Sequence, residues 1–188
     1  MPIITFIRHA ETVYNDNKIF AGRIDCELSK KGIQDTIRKF DYKKEYFDIY
    51  YCSPLKRSID TLNLIINNID KINIDNRIIE IFIGDWEGKK KDDISQELVL
   101  NYRDGLYTPP NAETIQEVDY RVAGFVSELF ESYDDDTKIL VITHNGVMRS
   151  IKRNFLPNYK NIMSNNLDNI ILDKSNYNYY LNNKKQKS

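Results

Sequence analysis

At 188 residues, with 41% hydrophobic and 29% charged side chains, the chain has the size and make-up of one soluble domain with a substantial core. A formal net charge of -1 removes any bulk electrostatic case for nucleic acid or an anionic membrane as partner, so anion binding must come from a few local cations. No run approaches the roughly 20 apolar residues of a membrane span. The start, MPIITFIRHAE, lacks the basic region of a signal peptide, and a cytoplasmic location is expected.

Ile3 to Ile7 is a short β-branched apolar run, read as a strand that ends on Arg8 and His9. "LSKKGIQDTIRKF" offers Ser29 as a helix cap, followed by Ile33, Ile37 and Phe40 at helical spacing. "FDIYYCS" is a second strand closed by Pro54, and "PLKRSIDTLNLII" a helix with Leu55, Ile59, Leu62 and Ile66 on one face. "INIDNRIIEIFIG" reads as a third strand or strand pair that carries Glu80 and ends at Gly84. Residues 84–113 are irregular, with a helix expected around Asp92 to Tyr102. "ETIQEVDYRVAGFVSELFESY" is an amphipathic helix, "KILVIT" a strand buried on both faces, and "HNGVMRSIKRNF" the next helix. "DNIILDKSNYNYYLN" alternates around Lys-Ser-Asn and is read as a hairpin at a sheet edge, followed by a solvated tail over 182–188. Cys26 and Cys52 lack C-x-x-C spacing and are expected as free thiols.

This alternation predicts a three-layer α/β/α fold over 1–181, with a mostly parallel sheet, one antiparallel edge strand and an irregular lid at about 84–113. In such sheets the ligand crevice lies beyond the carboxyl ends of the strands. Arg8-His9, Ser53 to Arg57, and His144-Asn145 all fall at such ends, and they hold both histidines of the chain. Arginine forks and helix N-terminal amides suit a phosphate. Neighbouring cations push an imidazole below its usual pKa of about 6.5, leaving a nucleophilic nitrogen. The expected chemistry is therefore in-line attack on phosphorus, with a carboxylic acid beside the phosphate protonating the leaving group. Glu80 is the candidate acid, with Asp85 and Glu87 as competitors beyond a glycine.

The same residues resemble the histidine phosphatase superfamily, the phosphoglycerate mutase-like proteins. "FIRHAETVYN", "FAGRIDCELSKKG", "SPLKRSIDT", "EIFIGDWEG" and "VITHNGVMRSI" match its segments in order along nearly the whole chain. The resemblance implies His9 as the phosphorylated nucleophile, Arg8, Arg57 and His144 around the phosphate, and Glu80 as proton donor. It places Asn15, Thr12, Gly22 and Asn145 at phosphate- or substrate-binding positions, with Glu11 shaping the pocket and orienting the arginines. Ile83 stands where an aromatic is usual, and "PPNAET", around Glu113 and Thr114, departs at the pocket mouth. Tyr102, Arg103 and Tyr107 are candidate lid contacts.

The implied function is hydrolysis of a small phosphate ester with no metal or cofactor, by a monomer or homodimer. The shortness of the segment after Glu80 favours a phosphatase over a phosphoglycerate mutase. Alpha-ribazole phosphatase, broad phosphomonoesterases and a catalytically weak phosphoryl-binding protein are the other readings. A cysteine-phosphatase loop at Cys52 is rejected: Cys52 to Arg57 is C-x4-R, without glycine, and Pro54 removes an amide donor. A metal hydrolase is disfavoured because no H-x-H or H-x-x-x-H spacing exists and the arginines repel cations.

Overall fold

A computed structural model describes residues 1–40, 46–66, 71–158 and 163–187. In chain order the elements are β1 (Ile3–Arg8), α1 (Val13–Asp16), α2 (Lys30–Lys39), β2 (Ile49–Cys52), α3 (Lys56–Ile65), β3 (Asn73–Ile74), α4 (Gln96–Arg103), α5 (Ile115–Ser132), β4 (Lys138–Thr143), α6 (Asn145–Phe155), β5 (Asn169–Leu172) and α7 (Lys174–Lys187). The strand order is β3-β2-β4-β1-β5, parallel throughout except for the antiparallel β1–β5 pair.

Strand periodicity separates two cores. Ile4 and Phe6 of β1, with Ile139 and Val141 of β4, face α5, α6 and α7. Ile7, Leu140, Ile142 and Cys52 face Leu62 and Ile65 of α3. With both faces covered, β4 reads as an unbroken apolar run. α5 buries Val118, Val122, Phe125, Val126 and Leu129, and a Thr114–Glu117 capping box starts it.

Two expectations need correction. The third strand keeps only Asn73–Ile74, and Glu80 does not end a strand. Side chains take the carbonyls that a strand would use: Arg121 Nη1 donates to Arg77 O at 2.6 Å and Ile79 O at 2.8 Å, Arg23 Nε to Glu80 O at 2.9 Å, and Thr143 Oγ1 to Ile78 O at 2.9 Å. The C-terminal hairpin is instead β5 followed by α7. Lys-Ser-Asn is a first helical turn, because Asp173 Oδ1 accepts from Ser175 N at 2.8 Å while Asn176 Oδ1 accepts from Asp173 N at 3.0 Å. Tyr177 and Tyr180, three apart, then stack on Phe130 and Phe155. Residues 182–187 form the last turns of that helix, with Asn182, Lys184 and Lys185 exposed. α2 forms with the expected Ser29 cap and turns its isoleucines outward, Ile33 being 37% and Ile37 51% exposed. Gly32 packs so close that a Cβ there would lie 2.2 Å from Glu11 O, and this contact sets the helix's facing.

Candidate active site

Parallel pairing of β1 with β4 puts Arg8 opposite Thr143, so the next residue of each strand, His9 and His144, emerges beside the other. His9 N donates to Thr143 O at 2.8 Å, and the two rings lie 5.1 Å apart. His9 Nδ1 sits 2.7 Å from Ala10 O. A carbonyl only accepts, so Nδ1 carries the hydrogen and a neutral ring presents its lone pair at Nε2. Burial, then Arg57 and Arg8, holds the His9 pKa well below the ordinary imidazole value. His144 is shifted the same way by burial, then Arg57. Its Nε2 lies 2.6 Å from Ser53 Oγ and 3.3 Å from Ser58 Oγ, whereas its Nδ1 has no partner among the described residues. His144 is fully buried behind His9 and does not line the cavity.

Arg57, on the first turn of α3, is 1% exposed. Its Nη1 donates to Ile24 O at 2.9 Å and its Nη2 to Gly22 O at 2.7 Å. Arg8 Nη1 donates to Ser164 O at 2.5 Å, and burial lowers the Arg8 pKa. Among the described residues, the Nε atoms of both arginines are buried without partners. A backbone brace therefore fixes each guanidinium while leaving a donor for something that enters.

Gly22 thus contributes its carbonyl to Arg57, and at φ +51° a Cβ would lie 2.0 Å from Glu87 Oε1. Glu87, one of the competing acids, accepts from Arg23 N at 2.7 Å. Thr12 and Asn15 form the capping box of α1. Asn15 Oδ1 accepts from Thr12 N at 3.2 Å and Asn166 Nδ2 at 3.3 Å, which assigns Nδ2 as the free end of that amide. Asn145 Oδ1 accepts from Ser164 N at 3.1 Å. Glu80 Oε1 accepts from Ile81 N and Gly146 N, both at 2.9 Å, which seats the carboxylate at the start of α6. Glu11 does not orient the arginines: it accepts from Ser29 Oγ and Lys31 Nζ, tying the loop after β1 to α2.

These groups open on a cavity of about 130 Å³ lined by Arg8, His9, Thr12, Asn15, Gly22, Arg57, Glu80, Asn145 and Gly146. Its far wall is apolar and cationic, with Phe20, Ile83, Trp86 and Tyr102 beside Lys91, Arg103 and Arg149. Burial, then Arg8 and Arg103, lowers the Lys91 pKa, a mark of crowded positive charge. Tyr107 stacks on Trp86 at 5.9 Å without lining the cavity. Nor do Glu113 and Thr114 reach the mouth. Thr114 caps α5, and Glu113 is gripped by Arg121 at 2.7 and 3.0 Å and by Arg23 at 3.1 Å.

Cys52 is fully buried in the α3-side core, where burial pushes its thiol up to about 12, the opposite of an activated nucleophile. Among the described residues no group of three or more His, Cys, Asp or Glu side chains could hold a metal ion.

Sequence reasoning missed the supporting residues. Ser53 and Ser58 were visible as the hydroxyls flanking Arg57, but nothing tied them to His144. Thr61, which accepts from Ala10 N at 2.9 Å and donates to Arg57 O at 2.6 Å, had no pairing signal either. The same holds for Asn166, whose Nδ2 donates to His9 O at 2.9 Å from 157 residues away.

The sequence model of the histidine phosphatase superfamily (branch 1) matches residues 4–179. Phosphoserine phosphatase 1 of Hydrogenobacter thermophilus is 30% identical over 156 residues, covering 79% of this chain and 73% of that protein. The 2,3-bisphosphoglycerate-dependent phosphoglycerate mutase of Cytophaga hutchinsonii is 29% identical over 161 residues, covering 80% and 76%. The crystal structure of the alpha-ribazole phosphatase from Shigella flexneri superposes with a TM-score of 0.74 at 26% identity, covering 91% of this chain and 90% of that one.

Proposed function

The chain belongs to the histidine phosphatase superfamily and is a phosphoric monoester hydrolase, and we propose that it acts on a small-molecule ester through a phosphohistidine on His9. One observation carries this reading: His9 Nδ1 is committed to a carbonyl, so Nε2 meets a cavity that also holds Arg8, Arg57 and Glu80.

In the first step Nε2 attacks phosphorus in line, the bond from phosphorus to the ester oxygen breaks, and Glu80 gives its proton to the leaving alkoxide. Arg8 and Arg57 take the charge that spreads over the equatorial oxygens, and Asn15 Nδ2 adds a donor from α1. His144, outside the cavity lining, acts through its ring contact with His9, while Gly22 and Asn145 act through the groups they brace. In the second step water attacks the phosphohistidine, the Glu80 carboxylate takes its proton, and the P–N electron pair returns to Nε2. No step calls on a metal. Residues 84–113 serve as the lid of this single domain, and the reaction is placed in the cytoplasm.

Water is favoured over a sugar-acid hydroxyl as acceptor because the lid carries only the eight-residue α4 over a small cavity. The likeness to an alpha-ribazole phosphatase and to a mutase puts both substrates in the panel to be assayed. Rapid quenching with ³²P-labelled phenyl phosphate is expected to trap an acid-labile, base-stable phosphoenzyme that His9→Ala abolishes. Full activity in His9→Ala, or its loss to a chelator, would overturn the mechanism.

A further inference from the structure

The turn at 164–168, just before β5, holds several of the cavity's polar residues from behind. Ser164 O accepts from Arg8 Nη1, and Ser164 N donates to Asn145 Oδ1. Asn166 Nδ2 donates to His9 O at 2.9 Å and to Asn15 Oδ1 at 3.3 Å. The Ser164 bonds are made by main-chain atoms, which any residue would supply. Those of Asn166 need its side chain.

The turn is built at a cost. Leu167 sits at φ +62°, a left-handed conformation that residues other than glycine seldom adopt. It is held there by Leu167 N donating to Arg8 O at 3.1 Å and by Leu167 O accepting from Lys39 Nζ at 2.7 Å. Asn165 N also donates to Asp168 Oδ2 at 2.6 Å, which closes the turn. The strained turn brings the Asn166 amide onto the loop that follows β1.

Hydrogen-bond polarity then fixes two amides in series. A main-chain carbonyl only accepts, so the Asn166 atom at His9 O is Nδ2. An amide nitrogen has a second hydrogen, and the atom of Asn15 that takes it must be Oδ1. Thr12 N gives Oδ1 its other donor, at 3.2 Å. Both bonds to Oδ1 exceed the usual length of about 2.9–3.0 Å, so neither alone holds the amide firmly. With Oδ1 taken twice, Nδ2 is the end left for the cavity that Asn15 lines. Asn166 does not line that cavity and acts only through its neighbours.

Resting on the phosphatase reading above, we propose that Asn166 is a positioning residue that keeps the Asn15 amide turned so that Nδ2 donates to the phosphoryl group. Turned over, the same amide would set a carbonyl oxygen against the anion and repel what it otherwise binds.

The test is a double-mutant cycle of Asn166→Ala and Asn15→Ala, read with phenyl phosphate and glycerol 3-phosphate, which share only the phosphate. Asn166→Ala should lower kcat/KM about tenfold and Asn15→Ala about ten- to a hundredfold, as loss of a hydrogen bond to a charged group does, equally on both esters. The double variant should lie within about twofold of Asn15→Ala, because Asn166 then has nothing to position. A merely structural brace on His9 O would instead multiply its loss with that of Asn15→Ala. Asn166→Asp, of the same shape but with an acceptor in place of the donor, should lose more than Asn166→Ala, because it draws Asn15 Nδ2 away from the phosphate. A double variant further below Asn15→Ala, full activity in Asn166→Ala, or an Asn166→Asp no worse than Asn166→Ala would overturn the proposal while the phosphatase reading stands. Failure of wild type to form a phosphoenzyme from phenyl phosphate would instead remove the reading beneath it.

Discussion

At the carboxyl edge of the sheet, His9, Ser53 and His144 are set by the backbone pairing of three parallel strands, and the backbone of Ile24 and Gly22 braces Arg57. Across the cavity, Trp86, Lys91 and Tyr102 stand on 3-10 turns and one short helix, held by ring packing and by loop-to-loop bonds such as Phe20 N to Lys89 O and Lys91 N to Lys18 O, outside the sheet. The first region is built from main-chain bonds that leave little room for adjustment. The second can exchange side chains without disturbing a single strand. In the proposed mechanism the difference becomes a division of labour: the rigid edge meets the phosphate, common to every substrate, and the adaptable wall meets the leaving group, which varies.

The largest test of this division is Arg57→Gln. Removing a fixed donor to the transferring group should lower kcat by about 10²–10³ on every substrate, aryl or alkyl. Steady-state kinetics showing loss on one leaving group only would break the comparison. Taking this cation away should also move the acid limb of the pH–rate profile to higher pH, because, after burial, Arg57 does most to hold the imidazole neutral.

Glu113→Gln comes next. It frees Arg121 and Arg23 from a largely buried carboxylate, and urea unfolding should report a loss of about 2 kcal/mol. Glu113 Oε2 also accepts from Phe82 N at 3.3 Å, so this carboxylate fastens the segment that carries Glu80. Alkyl phosphates, whose leaving groups need a proton, should then suffer more than phenyl phosphate.

The last test is of stability against pH. His9 and His144 have folded pKa values below the unfolded value of about 6.5, so the unfolded chain binds more protons once the pH falls through it. Their contribution is whole above that value, and below it stability should fall by up to about 1.4 kcal/mol per pH unit for each histidine. Thermal melts between pH 7 and pH 5 check this, and His144→Gln should make the slope shallower. An unchanged slope would show that the strand-end histidines are not held neutral.

What could be read beforehand follows the same division. Strand-end placement and apolar period fix where residues such as His9, Arg57 and His144 emerge, and these signals are local in the chain. Glu80 was identified as a residue but assigned the wrong setting, because its segment is drawn off the sheet by Arg121, Arg23 and Thr143, distant side chains with no local signature. α7 was misread because Tyr177, Tyr179 and Leu181 alternate, while Tyr177, Tyr180 and Leu181 fit a helix equally well. Only the Asp173 cap and the aromatic partners on α5 and α6 decide between the two periods.

The position of β1 has a consequence for the order of synthesis. Among the described strands β1 is synthesised before both of its neighbours, β4 and β5, and Ser164 and Asn166 brace Arg8 and His9 from more than 150 residues further along the chain. At typical elongation rates, β1 waits on the order of ten seconds for its neighbours. Throughout that time His9, the proposed nucleophile, exists without its site, and a nascent chain stopped before Ser164 should carry the signature motif yet catalyse nothing.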